Sequence, residues 1–250
     1  MPPKPASSST APKASAGTAS RPSSKSSSKT HRLTLKGSAK LISEFFEYSI
    51  NSILFQRGVY PPEDFTVVKK YGLNMLVTSD DQVKAYIRRI MSQLNRWMLG
   101  GKISKLVVVI TDKDTGDVVE RWQFDVSLFG NPTKSASRPE PGATEDGENA
   151  VSQEDANQPA TKAEPKTEKQ VQDEIQAIFR QITASVTFLP VLDGNCTFNV
   201  LVYADADSDV PVEWGDSDAK EIENGEKVQL RSFSTSNHRV DTLVSYRLAD

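Results

Sequence analysis

Lys105-Leu106-Val107-Val108-Val109-Ile110, then Asp112-Lys113-Asp114-Thr115-Gly116, then Val118-Val119-Glu120-Arg121-Trp122-Gln123-Phe124-Asp125-Val126 decide the architecture. The five Leu, Val and Ile residues from Leu106 to Ile110 are too short a run for a helix and suit a central strand. Asp112 to Gly116 is turn chemistry, and the stretch after it resumes extended character with Trp122 and Phe124 on one face. Together they read as a β-hairpin in the middle of a sheet. Asp112, Asp114 and Asp117 also invite a calcium-loop reading, but the distal Glu and flanking helices of an EF-hand are missing, so the turn is favoured.

Outward from this hairpin, three segments have helical periodicity. Leu41, Ile42, Phe45, Phe46, Ile50, Ile53 and Leu54 fall at steps of three and four between Gly37 and Gln56, ended by Arg57-Gly58 and Pro61-Pro62. Few of the intervening residues are charged, so this helix is expected to be buried over much of its surface. Val83, Ile87, Ile90, Met91, Leu94 and Met98 form a second stripe, capped by Ser79 or Asp80 and stopped by Gly100-Gly101. Val171, Ile175, Ile178, Phe179, Ile182 and Val186 form a third, ending near Pro190. Strands are expected at Leu73–Val77, Phe198–Tyr203, Lys227–Phe233 and Val240–Leu248. Three helices and an antiparallel-looking sheet predict an α+β domain.

The ends and middle of the chain differ from this body. Residues 1–32 hold ten Ser and five Pro and none of Val, Ile, Leu, Phe, Trp, Tyr or Cys; residues 131–168 are rich in Pro and acids around a single Val151. Neither buries enough apolar surface to offset ordering its backbone, so both are expected to be disordered. About 180 residues remain, enough for one core. The formal charge is −3 overall, with +6 in the first 32 residues, which leaves the folded body acidic. An acidic body argues against a nucleic-acid-binding face. The lone Cys196 cannot form an internal disulfide, and no apolar run approaches the roughly 18 residues of a membrane span. A protein inside the cell, with no membrane partner, is the expectation.

Catalytic chemistry is sparse. The two histidines, His31 and His238, are expected in the disordered extension and in a polar turn, and Cys196 opens an apolar strand with no third group to orient a nucleophile. No phosphate loop or dinucleotide fingerprint follows a strand, and no Cys/His spacing suits zinc. The expectation is a non-enzyme without cofactor or metal. Trp97 and Trp122 read as core, and Trp214 equally well as an anchor or a hydrophobic plug. The Gly-, Asp- and Pro-punctuated tail from Asp205 reads as strand-forming segments of weakly specified register, which permits alternative pairings at a sheet edge.

Several segments in order along the chain resemble the spindle checkpoint branch of the HORMA family. They are Thr34-Leu35-Lys36-Gly37-Ser38-Ala39, Glu44-Phe45-Phe46, Ile50 to Pro61, Lys70-Tyr71-Gly72-Leu73, Lys105 to Ile110, Glu120 to Asp125, Arg180-Gln181-Ile182-Thr183-Ala184, Thr187-Phe188-Leu189-Pro190 and Leu230-Arg231-Ser232-Phe233. The resemblance implies a HORMA domain over residues 33–250, with three helices packed on a mainly antiparallel sheet. It also implies a mobile C-terminal "safety belt" over residues 205–250. In the open state the belt covers the sheet edge; in the closed state it moves to the opposite side and wraps over a bound peptide.

By that resemblance the protein is a conformational switch that delays anaphase, acting in nucleus, kinetochore and cytoplasm. The expected partners are the coiled-coil kinetochore adaptor, the activator of the anaphase-promoting complex, a second copy in the other state, and an AAA+ remodelling ATPase system. The peptide is expected beside the strand Phe198, Asn199, Val200, Leu201, Val202 and Tyr203. Belt residues are Trp214, Val228, Leu230, Phe233, Val240 and Val244, and Arg180, Gln181 and Phe188 match the family's conformational dimer face. Sibling roles are a translesion polymerase accessory subunit and a meiotic chromosome-axis protein; Leu54 to Gly58 and Arg180 to Ala184 favour the checkpoint branch.

Overall fold

The structure, a computed structural model, describes residues 33–129, 166–192, 194–212 and 214–248. The expected extension 1–32 and most of the expected insertion 131–168 lie outside them. Lys166, Thr167 and Glu168, the last three residues assigned to that insertion, are placed, and they open a helix. Thr167 accepts from the Gln170 amide while Gln170 reaches back to the cap, a reciprocal capping box.

Helix α1 spans Leu35–Gln56, α2 Asp81–Leu99 and α3 Glu168–Ala184. Asp80, rather than Ser79, caps α2, its carboxylate accepting from the Val83 amide at 2.8 Å. α1 ends in a Schellman arrangement: Gly58 takes φ +63°, its amide donates to the Phe55 carbonyl, and the Val59 amide donates to Leu54. α1 is buried along most of its length, as its shortage of charge predicts, and packs against both α2 and α3. The Phe45 ring lies 4.8–5.8 Å from Phe46, Phe124, Phe179 and Phe233, so one side chain joins α1 to α3, the sheet and the C-terminal segment.

Strands β3 (Ile103–Asp112) and β4 (Val118–Leu128) form the expected antiparallel hairpin. Asp112 accepts from the Asp114 and Thr115 amides and Asp117 pairs with Arg247, which accounts for two of the turn's three carboxylates. The sheet runs β5 (Cys196–Ala204), β3, β4, β8 (His238–Tyr246), β6 (Glu226–Gln229), every neighbour antiparallel; a two-residue β7, Phe233–Ser234, also pairs with β8. The strand expected at Lys227–Phe233 is therefore two pieces, bent apart around Leu230 to Ser232. A separate hairpin joins β1 (Phe65–Lys70) to β2 (Leu73–Thr78) through Tyr71 and Gly72, both at positive φ. β1 escapes sequence reading because its exposed Thr66, Val67 and Lys69 give no alternation of burial.

Leu106, Val108 and Ile110 face the helical layer, and Trp122, Phe124, Val240 and Val244 join them in one core. Val107 and Val109 point to the opposite face by the two-residue period, yet are 0% and 1% exposed. The helices cannot bury them. Part of the C-terminal segment must cross that outer face.

Candidate functional site: a free strand edge beneath a strap

β5 is the last strand on its side of the sheet, and among the described residues no strand pairs with its outer edge. Phe198 and Val200 turn into the core, while Asn199, Leu201 and Tyr203 alternate to the other face. The Phe198 ring meets Tyr60 and Tyr86 edge-on. The Val200 amide donates to the Tyr86 hydroxyl at 3.4 Å, and burial pushes that phenol's pKa up, so the phenol stays protonated. An unpaired edge carries backbone donors and acceptors that a foreign strand can satisfy.

The segment from Asp205 to Gly225 leaves β5 opposite Ile103 and re-enters the sheet at Glu226, opposite Tyr246, itself opposite Glu120. It thus runs as a strap from one side of the sheet to the far side and from one end of the strands to the other. At its start, Lys102 Nζ donates to the Asp207 carbonyl at 3.0 Å, and Trp97 Nε1 donates to the Asp209 carbonyl at 3.0 Å. The Trp214 ring stands edge-on to Trp97, centroids 5.1 Å apart. Further on, Arg121 reaches the strap at Ala219 and Glu221. A groove of about 360 Å³ remains between Trp97, the strand from Val200 to Ala204, and the strap at Val210 and Trp214 to Asp218.

The remaining expected belt residues divide by depth. Phe233, Val240 and Val244 are core, Leu230 is nearly so, and Val228 is half-buried on β6. On the expected dimer face, Arg180 is exposed on α3 and Phe188 is 40% exposed, its ring 6.4 Å from Tyr246. Gln181 is already engaged, its side-chain oxygen accepting from the Arg231 amide at 2.7 Å and tying α3 to the C-terminal segment.

His238 is not in an exposed turn as expected; it is 1% exposed. Its Nδ1 lies 2.7 Å from Ser38 Oγ, which lies 2.6 Å from Thr235 Oγ1, so α1 is fastened to the start of β8. Burial lowers its pKa to about 4. Cys196 opens β5 opposite Asp112, whereas His238 opens β8 opposite Leu128 at the other end of the sheet. The two are on the order of 30 Å apart along the strands, too far for a nucleophile and its base. Burial and the Asp112 carboxylate raise the Cys196 pKa. Among the described residues no group of three or more His, Cys, Asp or Glu could hold a metal ion.

The HORMA domain model matches residues 38–238. The mitotic spindle checkpoint component mad2 of Schizosaccharomyces pombe is 54% identical over 215 residues, covering 86% of this chain and 94% of the relative. The chain is a HORMA-domain protein of the mitotic spindle checkpoint branch. The human mitotic spindle assembly checkpoint protein MAD2A is 42% identical over 216 residues, covering 86% and 93% of the two chains. A chain in a crystal structure of the mitotic checkpoint complex superposes with a TM-score of 0.69 at 52% identity, covering 85% of this chain and 99% of that one. C. elegans HTP-2, solved bound to a HIM-3 closure motif, shares the HORMA fold at a TM-score of 0.64 and 14% identity. Sibling HORMA roles are not favoured.

Three of the residues that shape the edge and the strap had no sequence signal. Tyr86 at β5, and Lys102 and Ile222 at the strap, act through tertiary contacts, and the nearest clue was the run Leu106–Ile110, whose unbroken hydrophobicity marks a strand covered on both faces.

Proposed function

We propose that this checkpoint protein captures a short peptide as an added strand on β5 and holds it beneath the strap. The observation that carries this reading is the unpaired outer edge of β5 facing a groove roofed by Trp214 to Asp218. Main-chain pairing supplies affinity, and pockets for alternate side chains supply specificity. Asp205, Asp216 and Asp218 of the strap line this groove, so a peptide bearing Lys or Arg is favoured over an acidic one. By resemblance, the peptides belong to the kinetochore adaptor and to the activator of the anaphase-promoting complex, and the protein acts in nucleus, kinetochore and cytoplasm. The protein itself is non-catalytic.

The position of β8 and β6 on the far side of β4, with the outer edge of β5 unpaired, supports reading this arrangement as the closed one of the family. Return of the C-terminal strands to β5 would close the edge, which makes peptide capture and strand relocation mutually dependent. Arg180 and Phe188, exposed beside the C-terminal segment, form the face for self-association with a copy in the other state, and the AAA+ system is the agent that resets the closed form.

The test is ion exchange and size exclusion of the purified chain with and without an adaptor peptide. Two slowly interconverting monomeric forms that collapse to one with peptide support the switch. A single form indifferent to peptide overturns it.

A further inference from the structure

We infer that Arg121 is the latch that holds the strap's second half on the sheet and thereby sets how long a captured peptide stays; this rests on the capture reading above. Arg121 lies on β4, opposite Val109 on β3 and Ser245 on β8, in the middle of the sheet's outer face. An arginine there would ordinarily be a solvated surface residue. Here it is 3% exposed. Its Nη1 donates to Gln123 Oε1 at 2.6 Å, which fixes the guanidinium in the plane above the sheet. Its Nε donates to the Ala219 carbonyl at 3.3 Å, and Nη2 lies 3.5 Å from the Glu221 carboxylate.

Both strap contacts fall just after the groove-lining stretch that ends at Asp218, so the latch lies at the exit end of the roof. Its neighbour on the strap, Ile222, is buried, and Gly225 leaves no space beside it, since a Cβ there would lie 2.7 Å from the Ile222 side chain. The entry end is held separately, by Lys102 and Trp97. A peptide beneath the strap therefore leaves only if one of these two fastenings lets go.

The chemistry suits a contact that must open. An apolar residue beside Val107 and Val109 would seal the strap but leave a continuous apolar face in water whenever the strap lifts. A guanidinium is well solvated in that state and, when the strap is down, has one nitrogen, Nη2, without a hydrogen bond among the described residues. The latch is held shut by Ala219 and Glu221.

The experiment compares the chain with its R121M and E221Q variants, each with Cys196 replaced by Ser and Ile222 replaced by Cys as a reporter. The buried reporter thiol reacts with a maleimide only when the strap lifts. The labelling rate is expected to rise at least tenfold in R121M and about threefold in E221Q, with unchanged helical circular dichroism and an unchanged labelling rate once each chain is denatured. A fluorescent adaptor peptide is expected to dissociate faster by the same factors, with its association rate little altered. Unchanged labelling in R121M overturns the latch; if R121M does not fold, unchanged labelling in E221Q overturns it. Failure of the parent chain to retain any peptide would instead overturn the capture reading, while the labelling rates still decide the latch.

Discussion

Trp97 on α2 and Trp214 on the strap meet edge to face, centroids 5.1 Å apart, while the Trp97 indole N–H donates to the Asp209 carbonyl five residues earlier in the strap. One buried side chain therefore serves both the core and the fastening of the strap to the helical layer. Of the two readings open for Trp214, anchor and plug, its place against Trp97 at the rim of the groove supports the anchor.

Trp214→Ala removes a ring that packs on the rim of the core against Trp97, and should cost about 1 kcal/mol of overall stability or less beyond its lost burial. Peptide dissociation, measured by fluorescence competition, should accelerate roughly tenfold to a hundredfold, because interface losses appear mainly in the off-rate. Trp97→Phe keeps an aromatic ring in the core but loses the Asp209 bond, and should show a smaller increase in off-rate.

His238 supplies a pH dependence. Its pKa is near 4 in the fold against 6.5 ordinarily, so between those values the unfolded chain binds more protons than the folded one. The stability this group supports is complete above about pH 6.5 and declines as pH falls toward 4, with no further loss from this residue below that. Urea midpoints measured from pH 7 to pH 4 should fall more steeply for the parent chain than for His238→Gln.

Arg57 and Glu120 form a buried pair, Nε donating at 2.8 Å, with Trp122 Nε1 donating to the other carboxylate oxygen and Arg57 also donating to the Pro190 carbonyl. Desolvation raises the Glu120 pKa even beside the guanidinium. Glu120→Ala leaves a buried cation without its partner and should destabilise the fold by about 3–5 kcal/mol in urea unfolding. Pairing Arg57→Met with Glu120→Leu should recover most of that loss.

Deletion from Arg239 onward removes most of β8, and with it the strand that pairs with β4 and the core residues Val240 and Val244. The helices should persist by circular dichroism while the melting temperature falls and peptide capture is lost. Retention of capture by the truncated chain would count against relocation of the C-terminal strands.

The hairpin, the three helices and β5 were legible because each has a hydrophobic period matched to one burial pattern. The two buried faces of Leu106–Ile110 were legible too, as a run without alternation, although nothing in the run says that a strap covers one of them. β1 was missed because its side chains are mostly exposed, and His238 was misplaced because a polar neighbourhood in sequence, Ser234 to Arg239, closes on Ser38 some 200 residues away. Arg121, read from sequence, is one charged residue on an otherwise ordinary strand. Its role depends on a segment about 100 residues later folding back across it, which local pattern cannot carry.

The most direct test of strand capture uses a photo-crosslinkable peptide of the kinetochore adaptor, irradiated in complex with the chain and mapped by mass spectrometry. Adducts confined to Val200–Tyr203 and to the strap at Val210 and Trp214–Asp218 are predicted. Adducts on β6, or on the α3 face around Arg180, with none on β5, would contradict the account.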